Sequence, residues 1–72
     1  MVINMERIEI AYARTFGGAS GAVVLDHLRK ITIERSLGPN ASESELRSIE
    51  AQRALVHKIE QLVLRGRENA KT

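Results

Sequence analysis

A chain of 72 residues with a net charge of +2 has room for one domain at most. It has no cysteine, so disulfides and thiolate-held zinc are excluded as braces, and only two aromatics, Tyr12 and Phe16, are present to fill a core. Chains of this size usually need such a brace or a partner, which leaves association as the way to gain buried area. The 11 basic and 9 acidic residues are scattered, and the longest basic runs are Arg29-Lys30 and Arg65-Gly66-Arg67. A nucleic-acid footprint shows as a basic patch, so charge does not favour that partner. No apolar run approaches the ~18 residues of a membrane-spanning helix. Glu6, Arg7 and Glu9 stand where a signal peptide would be apolar. Both points imply use or assembly in the cytoplasm.

Helical periodicity predicts an all-α domain over 1–72 with three helices. The first runs over about 4–15, starting at Asn4 as cap. Met5, Ile8, Tyr12 and Phe16 recur at spacings of three and four and form one apolar stripe. Glu6 and Glu9 suit the positive end of the helix dipole, and Arg14 suits the negative end. The break Phe16-Gly17-Gly18-Ala19-Ser20-Gly21 follows. Gly17 is expected in the left-handed conformation that ends a helix, and Ser20 as the next cap. So short a link predicts a helical hairpin.

The second helix is predicted over about 21–37. Val24, Leu28, Ile31 and Arg35 share a stripe, broadened by Val23, Leu25 and Ile33. Gly38-Pro39 reads as its stop, because proline cannot continue a helix. The brief alternation around Ile31-Thr32-Ile33 sits inside the helical period, so no strand is expected.

The third helix is predicted over about 43–65. Two capping boxes compete for its start, Asn40 with Glu43 and Ser42 with Glu45. No glycine or proline interrupts it before Gly66. Leu46, Ile49, Arg53, Val56, Ile59 and Val63 form its stripe, with Leu55 and Leu62 alongside. Arg53 is the one charge in that seam and is expected to pair with a carboxylate such as Glu50, fixing register. Residues 66–72 read as a polar tail. The expected interface comprises Val24, Leu28 and Ile31 on the second helix, with Ile49, Arg53, Val56, Ile59 and Val63 on the third.

Chemistry has little support in the residues. Asp26 and His27 are adjacent on a helix and point about 100° apart, so they form no acid–base pair. His57 sits beside the seam, and two histidines without a consistent carboxylate make no metal site. Ser20, Ser36, Ser42, Ser44, Ser48 and Thr15 lie mostly near helix ends, where capping explains them. The glycine cluster lacks the lysine and the preceding strand of a phosphate-binding loop. No catalytic residue, metal or cofactor is expected, and the protein is read as a non-enzyme.

A helix-turn-helix DNA-binding or regulatory protein is the alternative, since the link at Gly38–Ala41 has a suitable length. Glu43, Glu45 and Glu50 would face phosphates unfavourably, so nucleic acid is possible as a partner but not favoured. A host-factor-binding protein using the same apolar helix surface is a third reading.

Two stretches resemble a family of small phage proteins, the Bbp19-like phage domain. The first is Phe16-Gly17-Gly18-Ala19-Ser20-Gly21 leading into Val24-Leu25-Asp26-His27-Leu28. It is similar to that family's phenylalanine, short turn, glycine and Val-Leu-x-x-Leu helix. The second is Glu50-Ala51-Gln52-Arg53 leading into Leu55-Val56-His57-Lys58-Ile59, similar to a glutamate, glycine, x, arginine run. Ala51 stands where glycine is usual. The resemblance spans Tyr12 to Leu64. It implies phage origin and a gene among those for virion structure, and brings no known activity. The resulting expectation is a virion structural or accessory subunit of the portal, tail or ejection apparatus, assembled in bacterial host cytoplasm. Its expected partners are other copies of itself or larger virion proteins.

Overall fold

The computed structural model describes residues 4–70, and of Ala70 the backbone alone. It contains three helices, α1 (Met5–Gly17), α2 (Ala19–Thr32) and α3 (Glu43–Ala70), and no strand among the described residues. The all-α, three-helix expectation holds, while several helix ends differ from it.

Helix α1 starts as the sequence implies. The Asn4 side chain accepts the Arg7 backbone N–H at 3.2 Å, satisfying one of the orphan donors of the first turn. It ends two residues later than predicted, at Gly17. The break is a single extended residue, Gly18 (φ −85°, ψ 175°), and α2 resumes at Ala19. The expected left-handed Gly17 is not found: no described glycine has positive φ. Ser20 lies within the first turn of α2, and Gly18, which has no side chain to cap with, occupies the N-cap. Glycine is required one turn later instead. A Cβ on Gly21 would fall 2.6 Å from Phe16 Cα and 2.9 Å from Phe16 C, so the two helices meet too closely at this corner for any side chain.

Helix α2 stops at Thr32, well before the predicted 37. The run Ile31-Thr32-Ile33 is β-branched and weakly helical. Thr32 Oγ1 donates back to Leu28 O at 2.6 Å, and the Glu34 N–H donates to Arg29 O at 3.0 Å, closing the last turn. Gly38 and Pro39 therefore sit inside a link over 33–42, not at a helix end. That link is also longer than a helix-turn-helix turn.

Of the two competing caps for α3, Ser42 is used, its Oγ accepting the Glu45 N–H at 3.1 Å. The helix runs 28 residues, about 42 Å at 1.5 Å per residue. The predicted polar tail over 66–72 is thus helical through Ala70; residues 71 and 72 lie outside those described.

Helices α1 and α2 are neighbours, as their short link implies. The main partner of α1 is α3, with a smaller contact to α2. Gly66 permits this contact: a Cβ there would sit 2.6 Å from Glu9 C and 2.7 Å from Ala13 Cβ. Helix α2 reaches α3 through its C-terminal turns. The core is small. Among the described residues, Ile49, Val56, Leu62 and Val63 are its buried apolar side chains, and none is completely enclosed. The body is flattened, 48 × 32 × 16 Å, with a radius of gyration of 14.8 Å. A compact domain of this length would have about 11 Å.

Candidate interaction surface

Three polar contacts fix the helices, and together they determine which apolar faces stay uncovered. The first centres on Arg53. Its Nε donates to Thr32 O at 2.9 Å, its Nη2 to Arg35 O, and its Nη1 to Glu50 Oε1 at 2.8 Å. The expected pairing with Glu50 is present. The two carbonyl bonds are additional: the guanidinium holds Thr32, the last residue of α2, and Arg35 of the link that follows, at the negative end of the helix dipole, which favours a cation. A planar fork suits this task and an ammonium does not.

The second is an ion pair between α2 and α3. Arg29 Nη1 donates to both Glu60 oxygens, at 2.9 and 2.8 Å. Glu34 lies 3.5 Å from Arg29 Nε, and His57 Nδ1 lies 3.6 Å from Glu60. The third joins α1 to the C-terminal turns of α3. Glu9 is buried, accepts from Asn69 Nδ2 at 2.9 Å, and lies 3.9 Å from Arg65 Nη1. Sequence reasoning placed Glu9 among the dipole-favoured acids and missed its burial. A signal was present: Met5, Glu9, Tyr12 and Phe16 follow a 4-3-4 spacing, which puts Glu9 on the apolar stripe.

The expected interface residues separate into two sets. Ile49, Val56 and Val63 are buried by the chain's own helices. Leu28, Ile59 and Arg53 are half-buried. Val24 and Ile31 remain exposed on α2, joined by Val23 at 69% exposure. On α3 the exposed apolar residues are Leu46, Leu55 and Leu64. Leu55, Ile59, Leu62 and Gly66 form one stripe, of which α1 covers the C-terminal part and leaves Leu55 open. Tyr12 and Phe16 stack on α1 with centroids 6.4 Å apart. With Ala11 and Thr15 they line a shallow groove of about 260 Å³.

Asp26 and His27 are both exposed, as a solvated face requires. Asp26 accepts from Lys30 at 3.0 Å, and this hydrogen bond holds the Lys30 amine above its usual range. Among the described residues no three His, Asp or Glu side chains gather as a metal would need, and no helix is long and apolar enough to cross a membrane.

Residues 12–69 match the family profile described as Bbp19-like phage protein. The chain belongs to this family. No curated protein and no solved structure matches it. Both stretches that carry the resemblance have physical roles as a Bbp19-like protein's structural joints. Phe16 and Gly21 form the close corner between α1 and α2. Glu50 and Arg53 form the ion pair whose guanidinium caps α2. Ala51 is exposed on α3, where its methyl group meets solvent.

Proposed function

We propose that the protein is a non-enzymatic structural or accessory subunit of the phage virion, working while bound to other copies or to a larger particle protein. The portal, tail and ejection apparatus are the assemblies this reading favours. The observation behind it is the imbalance between core and surface. Among the described residues four apolar side chains are buried, while Met5, Val23, Val24, Ile31, Leu46, Leu55 and Leu64 stay exposed. Three of them, Val23, Val24 and Ile31, are grouped on α2, and a grouped apolar surface of this kind supports a partner that covers it. Membership of a phage protein family supplies the setting.

The DNA-binding reading has less behind it. The link over 33–42 is longer than a helix-turn-helix turn, and Glu43, Glu45 and Glu50 are exposed along the early turns of α3. Mass spectrometry of purified virions tests the proposal. The protein is expected in intact particles at a reproducible copy number; its absence, with the protein abundant in the infected-cell lysate, would reject the virion role.

A further inference from the structure

We propose that the exposed face of α2 is a self-association seam, and that a second, antiparallel copy of this chain covers it. The inference rests on the reading of the protein as an assembly subunit and names its partner.

The amount of exposed surface calls for such a partner. The chain exposes 5710 Å². A compact monomer of 8.0 kDa would expose about 4,500 Å², so about 1,200 Å² is in excess. A standard two-partner interface covers about 800 Å² on each side. One isologous contact of that size is smaller than the excess, so the area a stable pair needs is available, and two-fold pairing is the commonest closed symmetry.

The pattern of α2 locates the contact. Leu25, Leu28 and Thr32 turn inward, and Thr32 is buried. Ser20, Val24, His27 and Ile31 lie on the outer side, all exposed, at spacings of four, three and four. That is the spacing of a coiled-coil seam. Val23, at 69% exposure, widens it. The seam holds no acid or permanently charged base; Asp26 and Lys30 pair with each other outside it. An inverted copy therefore meets it without like-charge opposition. Inversion places Val24 of one copy against His27 of the other, and Ser20 of one against Ile31 of the other.

Light scattering on the full chain at tens of micromolar tests this, together with the double variant Val24→Glu/Ile31→Glu. Both positions are exposed in the monomer, so the variant keeps its helical circular dichroism. The wild type is expected at twice the 8.0 kDa chain mass, and the variant at half the wild-type value. Leu55→Glu, on the exposed part of α3, is expected to stay dimeric. A monomeric wild type, a variant still dimeric, or dissociation by Leu55→Glu alone would overturn the assignment. A monomer still packaged in virions overturns this inference while leaving the virion reading standing. A dimer lost on Val24→Glu/Ile31→Glu but missing from virions supports the seam and rejects that reading.

Discussion

At the scale of single residues, the two most informative positions are an arginine and a glycine. Arg53 joins α3 to Thr32 at the end of α2 and to Arg35 in the link beyond it through two backbone carbonyls, and is oriented by Glu50 of its own helix. Hydrogen bonds to a charged group contribute ~1.5–3 kcal/mol when protected, and the partial exposure here argues for the lower end. Arg53→Ala is expected to cost about 1–2 kcal/mol and lower the melting temperature by about 7–13 °C in a domain of this size. Arg53→Lys should recover less than half of that loss, because an ammonium cannot span Thr32 O and Arg35 O as the fork does. Thermal denaturation followed by circular dichroism decides both. The glycines give a matched pair of opposite sign. Gly66 has the backbone of Glu9 where its Cβ would go, while Gly17 has nothing within 4 Å and no positive φ. Gly66→Ala should destabilise by ~1–3 kcal/mol, through separation of α1 from α3. Gly17→Ala should stabilise by ~0.4–1 kcal/mol, through the unfolded chain's lost freedom. Equal effects at the two sites would mean that α1 does not cross α3 at Gly66.

At the scale of elements, what was legible in the sequence depended on whether a signal was local. The starts of α1 and α3 were readable because Asn4 and Ser42 bond to N–H groups three residues on. The apolar stripe of α3 was readable because period 3.6 alone defines it, and Ile49, Val56 and Val63 are indeed buried. The end of α2 was not readable. Gly38-Pro39 is a strong local stop, but the helix yields earlier, where β-branching weakens it and Arg53 offers its carbonyls another partner. The C-terminal extension of α3 was hidden for the same reason: Gly66 looks like a breaker until α1 lies against it. Nothing in spacing could pair Arg29 with Glu60, which are 31 positions apart. Their side chains are 40% and 28% exposed, so the pair is partly screened. A double-mutant cycle with Arg29→Met and Glu60→Gln should give a coupling of ~0.5–1 kcal/mol that shrinks as salt is raised. A coupling near zero at low salt would show that α2 is held to α3 by the Arg53 cap without this pair.

At the scale of the whole molecule, the shallow core and the uncovered face of α2 tie stability to assembly. With four buried apolar side chains among the described residues, the chain has little of its own to set against the entropy of ordering three helices. If the second copy supplies the rest, unfolding is coupled to dissociation and the melting temperature depends on protein concentration. The size of that dependence can be worked out. Raising the concentration a hundredfold favours the dimer by ~2.7 kcal/mol. Unfolding two chains of this length carries an entropy of about 0.3 kcal/mol/K, from ~2.1 cal/mol/K for each residue. The midpoint should therefore rise by about 9 °C across that range. For Val24→Glu/Ile31→Glu the expected slope is near zero, because a monomer's midpoint is independent of concentration. Differential scanning calorimetry at two concentrations measures both slopes. A flat wild-type midpoint would mean that the three helices hold the fold alone, and that the exposed face of α2 serves a partner other than this chain.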